Sequence, residues 1–330
     1  MTEKVDKQVN HWSEEKEKKG SLGQMRFLFL CYKYLGPRVI RIILYPVIFF
    51  FCLFSGSAGK SSREFLQKVE SRKGSGKKIG FRAIYRHFYC FSYALIEKLA
   101  AWSGDSNSGS LLNMTEDIAV LTNQLAEGKG AVALCSHLGN MEMLRAFGSL
   151  DTGIRLPDFQ TISIVDFSGT AQFNALLEEV NPKAMVKLID AKSIDPTVMI
   201  YLKECIDKGD LVVIAGDRTS GTNRDRNTVY SFLGEDAYFP QGAFVLACLL
   251  GAPVYYMFAL REKDCKFNTP YEFYVYKSAL EIEYTRKNRG IMIQSLTAEY
   301  VQHLEELSQL HPYQWFNFFN FWENPSLIDK

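Results

Sequence analysis

The sequence predicts an α/β fold in which helices flank a mixed, mostly parallel central sheet. Two observations predict it. The chain has 330 residues, of which 47% are apolar, so it can bury one large core. Short apolar or β-branched runs alternate along the chain with longer amphipathic stretches, and this alternation is typical of a parallel sheet covered on both faces. No long Pro/Gly/Ser linker or internal repeat divides the chain.

The predicted elements follow in order from residue 79. Asp195-Pro196 supplies an N-cap and an N1 proline for one of the helices, and Gly128 is a good residue to end another. We predict helices over Ile79–Trp102, Asp117–Glu127, Met141–Leu150, Ala171–Val180, Pro196–Asp207, Ala243–Leu250 and Thr297–Gln309. We predict strands over Ala131–Cys135, Thr161–Val165, Ala184–Ile189, Leu211–Ala215, Pro253–Ala259 and Tyr271–Tyr276.

Two parts of the chain differ in character, and we assign residues 1–58 to a polar tail with a membrane anchor and residues 59–330 to the α/β domain. A Gly36-Pro37 break precedes the apolar run Val39–Phe54, and we expect Pro46 to interrupt that run. Its uninterrupted core is 13 residues long, whereas a bilayer needs about 20. We therefore expect an interfacial or re-entrant anchor; a tilted span and an ordinary buried helix pair remain alternatives.

Charge is distributed unevenly. Residues 1–100 carry 19 Lys and Arg against 8 Asp and Glu, although the whole chain has a net charge of only +1. The stretch Lys60–Arg86 holds nine basic residues and two acidic ones. Because the basic part is also the most apolar part, an anionic membrane surface fits it better than nucleic acid does. Basic residues on both sides of the apolar run place both flanks in the cytoplasm.

The seven cysteines are scattered, without a CxxC pair, and the five histidines form no HExxH motif. We therefore expect reduced core thiols in a cytosolic compartment, no metal site and no cofactor.

One strand end carries a candidate catalytic pair. The strand Ala131–Cys135 delivers His137 to its carboxyl end, Gly139 permits a tight turn and Asn140 can cap the next helix. Glu142 falls in the first turn of that helix, where it can accept a hydrogen bond from the imidazole and leave the other ring nitrogen as a base. A capped turn with a hydrogen-bonded histidine is the alternative.

A second strand, Leu211–Ala215, ends at Gly216, Asp217 and Arg218. Arg218 can bind a phosphate or offset the charge of an oxyanion, or it can be half of an ordinary surface pair with Asp217. A Cys–His hydrolase using Cys135 is disfavoured because that thiol lies inside an apolar strand.

These pieces together resemble the lysophospholipid acyltransferase superfamily, and specifically its lipid A biosynthesis (late) acyltransferase branch. His137 and Glu142 match the HX4E motif. Three further blocks match in order: Ile214-Ala215-Gly216-Asp217-Arg218-Thr219-Ser220, then Phe239-Pro240-Gln241-Gly242 with Gly251-Ala252-Pro253-Val254, and finally His311-Pro312 with Gln314-Trp315-Phe316. Arg218 stands where the lipid A enzymes have Gln, and the aromatic C-terminal run lacks their arginines.

The resemblance implies an O-acyltransferase of lipid biosynthesis at the cytoplasmic face of the bacterial inner membrane. The donor would be an acyl carrier protein or CoA thioester, and the acceptor a hydroxyl of a membrane lipid or glycolipid. His137 and Glu142 would be catalytic, and substrate would contact Gly139, Asn140, Asp217, Arg218 and Thr219. The rival hypothesis is a catalytically silent lipid-binding membrane protein with the same fold.

Overall fold

A computed structural model provides the coordinates of the chain. It describes residues 22–102, 112–114, 117–145, 159–167, 186–218, 226–264 and 269–323.

The centre of the molecule is a seven-stranded sheet with the order β1-β9-β8-β2-β5-β3-β4. Five strands, from β8 to β4 in that order, run parallel to one another, whereas β9 pairs antiparallel with β8 and β1 runs parallel to β9. A separate antiparallel hairpin is formed by β6 and β7. The strands are β1 (Leu112–Met114), β2 (Ala131–Cys135), β3 (Thr161–Val165), β4 (Val186–Asp190), β5 (Leu211–Ala215), β6 (Asn227–Phe232), β7 (Glu235–Pro240), β8 (Val254–Arg261) and β9 (Tyr271–Lys277).

Eight α-helices are described, together with a 3-10 turn at Ala191–Ser193. The helices are α1 (Leu22–Leu53), α2 (Gly56–Arg72), α3 (Phe81–Trp102), α4 (Asp117–Ala126), α5 (Met141–Arg145), α6 (Pro196–Asp207), α7 (Gly242–Leu250) and α8 (Arg289–Leu310). The predicted boundary at residue 58 falls inside α2.

Helices cover the sheet on both faces, since alternate residues of each strand enter different cores. Val132 and Leu134 of β2 join one apolar cluster, which also takes side chains from α2, α3, α6, α7 and α8. Ala131, Ala133 and Cys135 join the other, which α4 and α5 cover. The predicted mixed, mostly parallel sheet between helices is therefore confirmed.

Most predicted elements are present with similar bounds, and Asp195 caps α6 by accepting a hydrogen bond from Val198 N at 2.8 Å. The hairpin of β6 and β7 was not predicted, and α8 begins eight residues before the predicted Thr297. Pattern alone missed the hairpin because its strands do not alternate cleanly between buried and exposed residues. The predicted helix Ala171–Val180 lies outside the described residues.

The apolar run of α1 lies on α3 with one face only. The helix kinks at Gly36, whose φ of 73° marks the predicted break, but Pro46 does not interrupt it. Ile40, Ile48 and Cys52 are buried, and Tyr45 stacks on Tyr89 at 4.7 Å between ring centroids. Other apolar side chains of this helix stay exposed: Ile42, Ile43, Val47, Phe49, Phe50, Phe51 and Leu53, followed by Phe54.

Within the described residues, no single helix has both the length and the apolar character needed to cross a membrane. One bent pair does meet that test by length and composition, with Val39–Leu53 and Gly56–Arg72 meeting at 95°.

The cysteines depart in part from the expected reduced set. Five are free thiols: Cys31, Cys52, Cys135, Cys205 and Cys248. Cys90 is disulfide-bonded, and Cys265, the seventh cysteine, lies outside the described residues.

Candidate functional site

A tight loop after β2 positions His137. The positive φ of Gly139, 84°, suits glycine, and a Cβ there would lie 2.0 Å from the carbonyl oxygen of Ala259. The loop is held by its backbone: Gly139 N donates to Gln314 O at 2.8 Å and Asn140 N donates to Ala259 O at 2.9 Å. Phe316 N donates to the carbonyl oxygen of His137 at 3.0 Å. The histidine therefore stands on a backbone that is fixed from two sides.

Asp217 reaches the same place from the neighbouring strand. Strands β2 and β5 are parallel, with Cys135 opposite Ala215, so the residues that follow them meet at one edge of the sheet. Gly216 N donates to Cys135 O at 2.9 Å. A Cβ on Gly216 would come within 3.1 Å of the rings of Phe244 and Tyr300, so glycine keeps this crossing close.

Asp217 accepts three hydrogen bonds at this edge. Its Oδ1 lies 2.8 Å from His137 Nδ1, and its Oδ2 accepts from the backbone N of His137 at 2.7 Å. The indole Nε1 of Trp315 donates to the same Oδ2 at 3.2 Å. Because an ionised carboxylate only accepts, His137 Nδ1 carries a proton. In the neutral ring, Nε2 is then the basic nitrogen.

The charge of Asp217 is maintained although its side chain is only 1% exposed. Burial disfavours the carboxylate and raises its pKa. The charge and hydrogen bonds of His137, with the charge of Arg218, outweigh burial and hold the pKa of Asp217 below its ordinary value. The His137 side chain is 25% exposed. The pair therefore has a buried acceptor and a ring that solvent can reach, which is the arrangement of an oriented general base.

Glu142 lies in α5, where its backbone is helical, but its side chain lies outside the described residues. The predicted hydrogen bond between Glu142 and His137 therefore stays a prediction. Asp217, which we expected to contact substrate, is the carboxylate that the described residues place on His137 Nδ1. Thr219 also lies outside the described residues.

Two expected substrate contacts, Gly139 and Asn140, have their backbone N–H groups engaged within the protein. The Asn140 side chain is buried and donates to the phenolic oxygen of Tyr271 at 3.3 Å. The guanidinium of Arg218 donates from Nη2 to Phe316 O at 3.1 Å. Burial lowers the pKa of Arg218 while the charge of Asp217 raises it, with a net decrease. The cation thus lies beside the pair and is joined to the segment that binds the His137 backbone.

Alternative nucleophiles in the loop are enclosed. Cys135 is 1% exposed and packs in the core under α4 and α5. Ser136 is equally buried, and its hydroxyl oxygen accepts from Leu138 N at 3.0 Å, so it stabilises the turn. This placement gives no support to a Cys–His or Ser–His hydrolase.

Trp315 belongs to the last sequence block of the resemblance, but the sequence assigned it no role; its indole N–H binds Asp217. The composition of the aromatic run His311–Trp322 predicts either the lining of an acyl groove or a packed terminal helix. Residues 311–322 are buried or partly buried, but they are not helical. The segment crosses the His137 loop instead, and Trp315 forms an antiparallel bridge with Leu138.

Among the residues with described positions, no group of three or more His, Cys, Asp or Glu side chains is arranged to hold a metal ion. In comparisons with known proteins, the chain matches no family model, and no curated protein matches it significantly.

Proposed function

We propose that this protein is an O-acyltransferase that moves a fatty acyl chain from an acyl thioester to a hydroxyl of a membrane lipid or glycolipid. The observation that carries the proposal is the hydrogen-bonded pair of His137 and Asp217, with a half-buried imidazole at the carboxyl edge of a mostly parallel sheet. The ordered sequence blocks that resemble the lysophospholipid acyltransferases support the same chemistry.

His137 acts as the general base in this proposal. Its Nε2 takes the proton of the acceptor hydroxyl while the hydroxyl oxygen forms a bond to the thioester carbonyl carbon. Asp217 holds the Nδ1 proton and offsets the positive charge of the imidazolium that results. Glu142 has the same orienting role in the prediction from sequence.

The tetrahedral intermediate then breaks its carbon–sulfur bond. The thiolate leaves and takes the proton from His137 Nε2, which restores the neutral ring and yields the acylated lipid and the free thiol. Arg218 is the cation beside the pair that can offset the oxyanion, and one such donor typically contributes about 3 kcal/mol to the stability of the transition state. Neither a metal nor a covalent acyl-enzyme is required.

Donor and membrane are both anionic partners in this scheme. The donor is acyl carrier protein or CoA, and the membrane is the cytoplasmic face of the bacterial inner membrane. The exposed apolar face of α1 would enter the interface. Phe49 on that helix contacts Phe81 with ring centroids 5.8 Å apart, and the exposed Lys77, Lys78 and Arg82 lie on either side of Phe81 in the chain, where they can meet anionic headgroups.

The membrane contact is testable by salt extraction. High salt should leave the wild-type chain on phosphatidylglycerol vesicles, because apolar burial is not screened. It should release a variant with Ile42→Ser, Phe50→Ser and Phe54→Ser. Release of the wild type by salt alone would contradict the apolar contact.

Acyl transfer itself is tested with the purified full-length chain, palmitoyl-CoA or palmitoyl-acyl carrier protein, and lysophospholipid or lipid A precursor vesicles, with products identified by mass spectrometry. His137→Gln should abolish transfer while folding and vesicle binding persist. The matched control is His303→Gln, since His303 stacks on Tyr276 at 4.1 Å between centroids, in contact with neither His137 nor Asp217.

Normal turnover by His137→Gln would contradict the mechanism. Lipid binding without transfer by the wild type, with every donor and acceptor, would favour the catalytically silent lipid-binding protein.

A further inference from the structure

Asp217 is also bound at Oδ2, the carboxylate oxygen that does not bind the imidazole. Its Oδ2 receives the indole N–H of Trp315 as well as the His137 backbone N–H. Trp315 is fully buried, and the rings of Phe65, Phe232 and Phe321 pack against it edge-on. The direction of the indole N–H is therefore determined by packing.

The backbone of Trp315 is bound in turn by a buried histidine. His87 of α3 lies with Nε2 at 2.8 Å from Trp315 O and with Nδ1 at 2.8 Å from the hydroxyl of Ser62 on α2. His87 and Ser62 are both fully buried. Neither takes part in the proposed acyl transfer, so their arrangement calls for a separate explanation.

The chemistry of these partners determines the tautomer of His87. A carbonyl oxygen only accepts, so His87 Nε2 carries the proton that it donates to Trp315 O. Burial lowers the pKa of His87 to about 4, so the ring is neutral and Nδ1 holds a lone pair. The Ser62 hydroxyl must then donate to Nδ1. The series therefore has three hydrogen bonds. The Ser62 hydroxyl donates to His87 Nδ1, His87 Nε2 donates to the carbonyl oxygen of Trp315, and the indole N–H of Trp315 donates to Asp217 Oδ2.

We propose that Ser62, His87 and Trp315 form a neutral hydrogen-bonded relay that positions Asp217 against His137. This inference rests on the proposed acyl transfer and adds three positioning residues to it. The relay sets which carboxylate oxygen faces the imidazole: Trp315 engages Oδ2 and so leaves Oδ1 for Nδ1. It also joins α2 and α3, of which α3 packs against α1, to the reacting edge of the sheet.

Trp315→Phe is the direct test, because it removes the indole N–H and retains an aromatic ring. Trp322→Phe is the matched control. Trp322 belongs to the same aromatic cluster, and its Nε1 donates to Phe232 O at 3.3 Å instead of to Asp217. Trp315 is fully buried and Trp322 is partly buried, but both variants remove an indole from one cluster, so loosening of that cluster should affect both.

We expect Trp315→Phe to lower kcat by about 10-fold or more with little change in KM, because misplacement of a catalytic group reduces the chemical step. Trp322→Phe should keep kcat within about twofold. In ¹⁵N-histidine-labelled protein, the proton on His137 Nδ1 should give a downfield resonance that Trp315→Phe shifts and that Trp322→Phe leaves in place. Equal loss of kcat in both variants, or an unmoved resonance in Trp315→Phe, would overturn the relay.

Ser62→Ala is a smaller change that tests the relay if Trp315→Phe does not fold. Ser62→Ala removes one oxygen and should lower kcat by about threefold, whereas Ala at the neighbouring buried Ser61 should not. Equal activity of the two serine variants would overturn the relay. If the wild type transfers no acyl group, the proposed function fails, and the resonance of His137 in the same variants still decides whether the relay exists.

Discussion

Two buried polar networks flank the His137 loop, and they differ in charge. The relay of Ser62, His87 and Trp315 is neutral and ends on Asp217. The second network is ionic: Glu97 on α3 pairs with Arg261 at the end of β8, and both bind the hydroxyl of Tyr271.

The ionic network touches the loop through Asn140, whose side chain donates to Tyr271. The two networks meet where Gln314 precedes Trp315 in the chain. The Gln314 side chain accepts from Arg261 N at 2.8 Å and donates to Arg261 O at 2.9 Å. A neutral relay can direct a single acceptor with little desolvation cost. A buried ion pair holds backbone in place but becomes destabilising once either partner is lost. The difference suggests that one network orients chemistry and the other supports the loop.

Breaking the ionic network should have the larger effect on stability. Arg261→Met leaves the Glu97 carboxylate buried without its cation, and we expect the free energy of unfolding to fall by about 3–5 kcal/mol. Burial already raises the pKa of Glu97 against the opposing charge of Arg261, so proton uptake by Glu97 will limit the loss. Urea denaturation measures it.

The double variant Glu97→Leu with Arg261→Met supplies the control. It removes both charges and should recover most of the lost stability. A double variant as unstable as Arg261→Met alone would mean that packing, and not the ion pair, supports the loop.

The neutral network should make the stability of the protein depend on pH through the titration of His87. The pKa of His87 is about 4 in the folded chain because of burial, and about 6.5 when unfolded. The unfolded chain therefore binds more protons between these values, so stability should fall as pH decreases from 6.5 to 4, by about 3 kcal/mol in all. His87→Gln does not titrate and should lose this part of the acid sensitivity. Equal slopes for the wild type and the variant would contradict a neutral, buried His87.

Local pattern predicted the sheet well but left the site incomplete. The strands Ala131–Cys135 and Leu211–Ala215 were predicted because a short apolar or β-branched run can be recognised from adjacent residues in the sequence. His137 and Arg218 were found because each follows such a run. The partner of His137 is 80 residues away in the chain and Trp315 is 98 residues beyond Asp217. No local periodicity encodes those contacts, because strand order determines them.

The exposed face of α1 shows a different limit of prediction. Composition identified the apolar run Val39–Phe54, but it does not distinguish an apolar helix that is buried in a core from one that faces lipid. Which side chains stay exposed depends on how the helix packs against α3, through contacts such as Phe51 with Phe88 at 5.2 Å between centroids.

We propose that His137 and Asp217 act as one unit in acyl transfer, and a double-mutant cycle tests this coupling most directly. The rate of transfer from palmitoyl-CoA is measured for His137→Gln, Asp217→Asn and the double variant. Asp217→Asn should lower kcat by about 10³–10⁴-fold, because an amide in that place favours the wrong imidazole tautomer. The double variant should be no slower than His137→Gln alone. Losses that multiply in the double variant, or an Asp217→Asn enzyme as fast as the wild type, would contradict the claim.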